Sequence, residues 1–426
     1  MVGHAVVRRH PSSFHHCSVV GPSFTTATLA YKHSGSENVM RICLVSETWS
    51  PEINGVAHTL AQLSREMLAR GVSLQLIRPH PAAADAPRRT PGMQSELRVM
   101  GMAMPGYRAV RIGLPAARRI QRLWQKQRPD VVYLATQGPL GWSARRVARR
   151  MGIPLVAGWH TNFDHYCGDY GVPWLAPALL RALRHFHNGC QATLVPTRQQ
   201  AGELVRQGFE RLEVMGRGIE HERFSPALRC SELRRSWGVD EHRPVALHVG
   251  RLAAEKNLTL LRETLHAMRS ARPDMAQVIV GDGPARRSLE KALPDVHFTG
   301  FISPEALARH YASADLFLFP SLSETWGNVV PEAMASGLAV VAYRHAAAAE
   351  LIDSGIDGVT VPAGDAEAFR TAAVELCQQP ARYAQIGRAA RLRTQACRWP
   401  AIADTFLAVL EQAREVNHAS TRACGI

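Results

Sequence analysis

Short apolar runs alternate with amphipathic stretches along the chain, and this alternation starts twice. Residues 41–46 predict a buried strand, and residues 55–70 predict a helix that ends at Gly71. After an irregular segment at residues 216–226, strand-like and helical runs alternate again. Because strand–helix–strand units cross over with a right hand, the pattern predicts parallel sheets that are covered on both faces.

The expected fold class is therefore α/β, with two doubly wound, Rossmann-like domains that face a cleft between them. In sheets of this kind, ligands bind outside the carboxyl ends of the strands, so the cleft is the expected position of an active site. The strands that we expect are residues 41–46, 72–77, 130–134, 153–157, 192–196, 245–249, 277–280, 296–299, 316–319 and 338–342.

The same pattern divides the chain into four segments. Residues 1–39 show neither a helical nor a strand period, and we interpret them as a disordered tail or the product of a misplaced start codon. The first domain is expected at residues 40–217 and the second at residues 218–395. Residues 396–426 contain a final helix and a tail, and the apolar side chains of that helix need a surface such as the first domain to pack on.

Composition narrows the class of protein. The chain has 426 residues, of which 46% are hydrophobic, and it contains no apolar run of the roughly 18 residues that would suggest a transmembrane helix. Fifty basic residues against 36 acidic ones give a net charge of +14, which favours an anionic partner. The eight cysteines include no Cys-x-x-Cys pair, which disfavours a zinc or thioredoxin-like site and favours reduced thiols in a cytosol.

The most informative motif is residues 323–337. Glu324 lies in the loop after a predicted strand, and Glu332 lies in the first turn of a predicted helix, beside Pro331 at a position that favours a helix start. Residues 327–330 would present backbone N–H groups at that helix N-terminus, where phosphates commonly bind. Both glutamates can then face one ligand, although a helix cap with two solvated glutamates would give the same pattern.

Two further strand ends of the second half carry candidate ligand-binding residues. Arg251 and Lys256 follow the predicted strand at residues 245–249, and a guanidinium with an ammonium group at a strand end suits a diphosphate. Gly281 and Gly283 end the next strand. Glycines there let a backbone approach a ligand closely, but they are equally consistent with a plain turn.

The first half has a loop at residues 46–56 between its first strand and its first helix. Gly55 occurs there without a G-x-G-x-x-G pattern, which disfavours a nicotinamide site, and no P-loop sequence occurs. His160 follows another predicted strand and is expected at the cleft, although a single histidine is more often structural. No H-E-x-x-H motif occurs, so we expect no metal.

Together these motifs resemble the retaining glycosyltransferases of family 4, which have the two-domain GT-B fold. The resemblance covers roughly residues 40–414. Its elements are Glu324 and Glu332 eight residues apart, Gly250-Arg251 with Lys256, Gly281-Asp-Gly283, Gly55 and His160. Within the family, the loops at residues 47–55 and 323–328 are most similar to GDP-mannose-dependent α-mannosyltransferases and related bacterial glycolipid glycosyltransferases.

The resemblance implies a role for each of these residues. The second domain would bind a nucleotide diphosphate sugar, with Glu332 on the ribose hydroxyls and Glu324 on the transferred sugar. Arg251 and Lys256 would neutralise the diphosphate, and His160 would lie near the reacting sugar. No cofactor is implied, because the nucleotide sugar is a substrate. The other donor-binding positions would be Gly55, Gly281, Gly283, Asn328, Val329 and Val330.

Much of the positive charge lies in the presumed acceptor domain. Between Arg98 and Arg150 there are twelve basic residues and one acidic residue. Those beside Leu123 and Trp124 suit an anionic membrane surface, although a solvated helix face explains them as well. We therefore expect an enzyme at the cytoplasmic face of a membrane, with a lipid or glycan acceptor, no nucleic-acid partner and no obligate protein partner.

Three alternatives remain open on the sequence alone. The first is a glycolipid synthase that uses UDP-glucose or UDP-glucuronate. The second is a nucleotide-sugar 2-epimerase, which shares the two-domain architecture and would change its donor without an acceptor. The third is a basic membrane-binding protein without catalytic activity, which would bind vesicles but no nucleotide sugar.

Overall fold

The computed structural model describes residues 39–50, 52, 54–81, 89–104, 107–160 and 176–423. Val39–Ile426 form one compact unit. The predicted tail, residues 1–39, lies outside the described residues except for Val39. Two parallel sheets with covering helices make up the described part of the chain, so the predicted α/β fold class is confirmed. The exact segment boundaries given above remain a prediction.

The first parallel sheet contains, among the described residues, seven strands. They are β1 Arg41–Val45, β2 Ser73–Pro79, β3 Ser95–Val99, β6 Val131–Leu134, β7 Leu155–Gly158, β8 Ala192–Val195 and β9 Leu212–Val214. Their order across the sheet is β3-β2-β1-β6-β7-β8-β9. All four residues of β6 and β7 are buried, as expected for central strands of a sheet with helices on both faces.

A short antiparallel hairpin follows β3. It consists of β4, Gly101–Met104, and β5, Tyr107–Gly113, which pair with each other and not with either parallel sheet. The hairpin was not among the expected strands, because β4 is a short run of Gly, Met and Ala without β-branched residues, and Arg108 and Arg111 interrupt β5.

The second parallel sheet has six strands in the described residues. They are β10 Val245–Val249, β11 Ala276–Val280, β12 His297–Gly300, β13 Leu316–Phe319, β14 Ala339–Tyr343 and β15 Val359–Val361. Their order is β12-β11-β10-β13-β14-β15, so the sheet reverses direction of winding between β10 and β13. The carboxyl ends of these two neighbours form the topological switch point, where ligands bind in doubly wound sheets.

Helices cover the two sheets. Those of the first half are α1 Gly55–Ala69, α2 Ala117–Lys126, α3 Pro139–Met151, α4 Ala176–His187 and α5 Arg198–Arg206. Those that follow are α6 Ser231–Ser236, α7 Leu258–Ala271, α8 Arg286–Ala292, α9 Pro304–Ser313, α10 Val329–Ala335, α11 Ala346–Leu351, α12 Ala366–Cys377, α13 Pro380–Thr394 and α14 Trp399–Ala423.

The last helix, α14, returns to the first sheet. Its buried side chains, which include Trp399, Phe406 and Leu410, belong to the same apolar cluster as Ile42 of β1 and Tyr133 of β6. The rings of Phe406 and Tyr133 meet edge to face, with centroids 4.9 Å apart. The chain thus crosses between its two halves twice, once before α6 and once before α14.

None of the helices in the described residues is long and apolar enough to cross a membrane.

Candidate active site

The loops after β10 and β13 bring the two motifs of the second half into direct contact. Lys256 ends a 3-10 turn, Ala254–Lys256, and its Nζ forms an ion pair with Glu324 Oε1. Ser321 Oγ donates to the same carboxylate oxygen at 3.0 Å. The two charged side chains are only 18% and 16% exposed, so their attraction is screened less than that of a surface pair. Residues that are 68 positions apart in sequence thus share one site.

Arg251 lies in the same loop but is more exposed. Its guanidinium is 53% exposed, and its Nη1 lies 3.8 Å from Glu255 Oε1. An exposed pair at this distance contributes little to stability, so the guanidinium is free to bind a stronger anion. The loop is held by Ser323 Oγ, which donates to the carbonyl oxygen of Glu255 at 3.1 Å.

Glu332 lies in the first turn of α10 and contacts α9. The hydroxyl of the buried Tyr311 donates to Glu332 Oε2 at 3.1 Å. Burial raises the pKa of Glu332 to about 8, and the hydrogen bond from Tyr311 only partly opposes that rise. Near neutral pH this carboxyl is therefore poised between its two protonation states, and hydroxyl donors from a ligand would favour the ionised form.

Gly281 and Gly283 contact protein backbone. A Cβ on Gly281 would lie 1.9 Å from the carbonyl oxygen of Gly250, and one on Gly283 would lie 2.3 Å from that of Leu252. Gly281 also has a φ of 134°, which side-chain-bearing residues rarely adopt. The two glycines therefore let the loop after β11 support the loop that carries Arg251, and their predicted direct part in donor binding stays a prediction.

The N-terminus of α10 has some of its amides already paired. Gly327 adopts a φ of 82°, and its carbonyl oxygen accepts a hydrogen bond from the Val330 N–H at 3.1 Å. Asn328 occupies the N-cap position, and Val329 begins the helix. Three positions, Asn328, Val329 and Val330, were expected to face a phosphate. The Val330 N–H already donates to Gly327, so it is the least available of the three for a phosphate.

The loop after β1 is organised by its own side chains. Asn54 caps α1 by accepting a hydrogen bond from the Ala57 N–H at 2.9 Å, and it donates to Thr48 Oγ1 at 2.5 Å. Thr48 in turn donates to Glu52 Oε2 at 2.6 Å. These contacts fix Gly55 as the first residue of α1, at the carboxyl edge of the first sheet.

His160 follows β7 at the same edge. Its Nε2 lies 2.8 Å from the hydroxyl of Tyr133, a fully buried residue of β6. Burial, with a smaller effect of the nearby Arg217 charge, lowers the pKa of His160 to about 3. The imidazole is therefore neutral at physiological pH, and when the phenol donates to Nε2, the ring proton is on Nδ1.

Arg217 lies where the two halves meet, and the sequence did not single it out. Its Nη1 lies 3.4 Å from Asn328 Oδ1, and a Cβ on Gly55 would lie only 2.8 Å from the same nitrogen. Its position was not predicted because it falls in an irregular connecting segment. The signal that could have found it is the Gly216-Arg217-Gly218 triplet.

Tyr133 and Tyr311 were also not predicted as site residues, because a tyrosine within an apolar run is typical of the hydrophobic core. Only their hydroxyl groups, which reach His160 and Glu332, mark them as part of the site. Across the described ranges, no cluster of three or more His, Cys, Asp or Glu side chains is arranged to hold a metal ion, and metal independence stays a prediction.

Comparison with known proteins identifies the family. The profile of Glycosyltransferase Family 4 matches residues 53–223, and that of Glycosyl transferases group 1 matches residues 243–379. The GDP-mannose-dependent alpha-mannosyltransferase of Mycobacterium tuberculosis is 33% identical over 377 residues, which are 88% of this chain and 97% of that relative. The chain belongs to glycosyltransferase family 4. It is therefore a hexosyltransferase, as the motifs predicted.

A further relative supports the family, and a solved structure supports the fold. The GDP-mannose-dependent alpha-(1-6)-phosphatidylinositol dimannoside mannosyltransferase of Mycobacterium tuberculosis is 30% identical over 87% of this chain and 96% of its own length. The structure of Anabaena Alr3699/HepE in complex with UDP superposes with a TM-score of 0.71 over 88% of this chain and 100% of that chain, at 19% identity. This likeness confirms the GT-B fold of the chain.

Proposed function

We propose that this glycosyltransferase moves mannose from GDP-mannose to a lipid or glycan acceptor at an anionic membrane surface, with retention of configuration. The observation that carries the proposal is the grouping of Lys256, Glu324 and Glu332 at the switch point of the second sheet. Two relatives whose names specify GDP-mannose support the choice of donor.

In the proposed complex, the second half holds the donor. Glu332 accepts hydrogen bonds from the ribose hydroxyls, while Tyr311 keeps its carboxyl in position. Lys256 and Arg251 face the diphosphate, and Glu324 offers its second carboxylate oxygen to the sugar, since its Oε1 is already engaged. Because Glu324 anchors Lys256, this cation needs little rearrangement, while the exposed Arg251 side chain is free to turn toward the diphosphate.

The chemistry of the transfer fits these residue types. Cleavage of the bond between the sugar and the diphosphate builds negative charge on the leaving phosphate and positive charge at the anomeric carbon. Fixed cations aimed at the leaving group lower that barrier because they are already oriented before the reaction begins. We infer that the acceptor hydroxyl attacks from the face of the departing phosphate, which takes up the proton.

His160 would act on the other side of the cleft. A neutral imidazole whose Nε2 accepts from Tyr133 carries its hydrogen on Nδ1, and this N–H can donate to a sugar hydroxyl or to the acceptor. A protonated imidazole would instead oppose the positive charge that develops on the sugar. The lowered pKa of His160 thus suits the proposed reaction.

The proposed membrane surface is the exposed side of α2 and α3, which pack against each other. Ile120 and Trp124 of α2 are fully buried, so this face presents cations and not an apolar wedge. In the described part of the chain none of these cations is paired with a carboxylate. The proposed contact is therefore electrostatic adsorption to anionic headgroups. The exposed cations are Arg118, Arg119, Arg122, Lys126, Arg146, Arg149 and Arg150.

A cavity of about 1000 Å³ on this side of the molecule is a candidate acceptor site. Its lining combines the Trp142 ring with Arg146 and Arg149 of α3. Gln137 also lines it and donates from Nε2 to the carbonyl oxygen of Gly158 at 2.6 Å, two residues before His160. An acceptor with an anionic group in this cavity would lie next to the strand that ends at the proposed reaction centre.

Nucleotide release tests the proposal. The enzyme is mixed with GDP-mannose, UDP-glucose or UDP-glucuronate, with or without a membrane lipid extract. We expect GDP release from GDP-mannose that depends on the extract and is lost in Lys256→Ala and Glu332→Ala. Full turnover in both variants would contradict the proposed site. Release from a uridine donor would move the enzyme to the alternative donor, and epimerised donor formed without extract would favour an epimerase.

A further inference from the structure

The backbone of Arg217 is clamped between two aromatic rings. A Cβ on Gly216 would lie 2.9 Å from the indole of Trp326, and one on Gly218 would lie 2.4 Å from the indole of Trp399. Glycine on both sides therefore allows the chain to pass between a ring of the donor-side motif and a ring at the start of α14. The two rings therefore restrict the backbone position of Arg217.

That side chain reaches the junction of two helix N-termini. One is the start of α10, where Asn328 Oδ1 lies 3.4 Å from Nη1. The other is the start of α1, where Gly55 leaves room for the guanidinium. The small cavity at this junction, about 20 Å³, is lined by residues of both halves, including His58, Arg217 and Glu332. This space is far too small for a nucleotide, but it places Arg217 and Glu332 on the walls of one cavity.

The guanidinium has no carboxylate partner among the residues that the structure describes. Burial lowers the pKa of Arg217 to about 10, so the group is still charged at neutral pH. Glu324 attracts it only from a distance. A largely desolvated cation without a counter-ion is unfavourable, and an anionic ligand that pairs with it would remove that cost.

We propose that Arg217 is a third cation of the diphosphate site, contributed by the segment that connects the two halves. On donor binding, its guanidinium exchanges the long contact with Asn328 for a phosphate oxygen. The inference rests on the proposed function, because it assumes a nucleotide diphosphate donor. It adds a phosphate ligand that belongs to neither strand-end motif and that touches both the first and the second half.

The inference is tested by the affinities of Arg217→Ala for GDP and GMP, measured by calorimetry on the full chain. UDP and UMP are used if the release assay selects a uridine donor. Losing one charge-assisted contact to the diphosphate should weaken GDP binding about 10- to 100-fold. The affinity for GMP, which has one phosphate fewer, should fall clearly less in Arg217→Ala. Arg217→Lys keeps the charge but loses the planar guanidinium that can donate two parallel hydrogen bonds. Its GDP affinity should lie between those of wild type and Arg217→Ala.

Arg223→Ala is the matched control. It removes the same charge from the same connecting segment, but Arg223 is already paired with Glu220 at 2.7 Å. We expect its GDP affinity to stay within about threefold of wild type, because Arg223 is held by Glu220 and is the weakest of the influences on the Glu332 carboxyl. The melting temperature of Arg217→Ala should be unchanged or raised, since the variant loses an unpaired cation. A purely structural arginine would lower it.

Equal losses for GDP and GMP, or unchanged GDP affinity, would overturn the inference. If Lys256→Ala still weakened GDP binding in that case, the proposed function would stand. Wild-type protein that binds no nucleoside diphosphate would overturn both. Gly55→Ala would displace the guanidinium without removing its charge, but Gly55 is itself an expected donor-binding position. It is therefore combined with Arg217→Ala. If the methyl group acts through Arg217, the double variant should bind GDP no more weakly than Arg217→Ala, and a further loss of GDP affinity would count against Arg217.

Discussion

Among single residues, Glu332 gives the proposed donor site a pH dependence. Its pKa is raised to about 8 by burial, so at pH 6.5 most molecules carry a neutral carboxyl. Ribose hydroxyls donate to the ionised form, so GDP-mannose should bind about 10-fold more tightly at pH 8.5 than at pH 6.5. Calorimetry at the two pH values measures this, because the phosphates of a nucleotide sugar do not titrate in that range.

The control for this prediction is Glu332→Gln. It should bind GDP-mannose weakly and with the same affinity at both pH values. An affinity of the wild-type enzyme that does not change between pH 6.5 and 8.5 would show that Glu332 does not bind the donor as a carboxylate.

Tyr133 is expected to position His160. Tyr133→Phe removes the 2.8 Å contact with Nε2 while keeping the ring that packs on Phe406. The loss of one neutral hydrogen bond should lower kcat about fivefold. Nucleotide affinity should not change, since the lost hydroxyl contacts His160 and none of the proposed donor-binding residues. A variant with wild-type kcat would remove Tyr133 from the proposed mechanism.

The sequence indicated candidate site residues where a charged residue directly follows a predicted strand. The placement of Glu324, Glu332, Arg251 and Lys256 after strands of the second sheet could be predicted because each follows an apolar run and carries a charge, while their roles stay a prediction. The position of Arg217 could not be predicted. It depends on how the starts of α1 and α10 meet in the fold, and these lie more than 100 residues apart in the sequence.

Among the elements, the edge of the first sheet is tied to the active-site side by a buried ion pair. Arg78 of β2 and Glu96 of β3 lie 2.8 Å apart, and each side chain is 4% exposed. Arg78 Nη1 also donates to the carbonyl oxygen of Ser50, in the loop between β1 and α1. Burial would raise the pKa of Glu96, but hydrogen bonds from Arg98 and Arg78 lower it to about 2.

Glu96→Gln should therefore lower the free energy of unfolding by about 3 kcal/mol at pH 7, because it leaves Arg78 buried without its charge partner. The folded pKa lies below the unfolded value, so the contribution of Glu96 is complete above pH 4.5 and is lost as the pH falls toward 2. Urea unfolding at pH 7 and pH 3 should show the difference from wild type shrinking at the lower pH.

The matched control is Glu367→Gln. Glu367 pairs with Arg370 on α12, but it is 75% exposed, and its loss should cost less than about 0.5 kcal/mol. If the two variants were equally stable, the ion pair between β2 and β3 would not hold the sheet edge.

The strands expected from the sequence agree only in part with those of the structure. The buried central strands were predicted because both of their faces are apolar. The edge strand β3, the short strands β9 and β15, and the hairpin of β4 and β5 were not predicted, since a three-residue strand or a partly exposed one has no clear period. Helix α3 begins at Pro139, which suits a first-turn position, and the side chain of Glu47 accepts from its Leu140 N–H.

For the whole molecule, charge is distributed unequally between the two halves. The proposed membrane face on α2 and α3 predicts that the double charge reversal Arg118→Glu with Arg122→Glu weakens binding to phosphatidylglycerol vesicles at least 10-fold, since each cation near such a surface contributes roughly 1 kcal/mol. Co-sedimentation at low salt measures this. GDP affinity should not change, because α2 is not part of the donor half.

Arg287→Glu with Lys291→Glu is the matched reversal on α8 of the second half, where both cations are also exposed. It should leave vesicle binding within about twofold of wild type. If vesicle affinity fell equally in both double variants, the loss would be an effect of net charge. The exposed side of α2 would then be an ordinary solvated surface.

The two-sheet architecture was predictable because the strand–helix pattern restarts in mid-chain. The packing of α14 was open on the sequence alone, since an amphipathic helix shows that it needs a surface but not which one. In the structure its Phe406 lies against Tyr133, so the end of the chain supports the strand whose tyrosine contacts His160.

Transfer of labelled sugar tests the central claim most directly. The enzyme is incubated with GDP-mannose labelled in the sugar and with a membrane lipid extract, and label in the organic phase is counted. We predict lipid-bound label with wild-type enzyme, and less than about one-hundredth of it with Lys256→Ala, which removes a cation aimed at the leaving group. Label that stays entirely in the aqueous phase, or equal transfer by Lys256→Ala, would contradict the account.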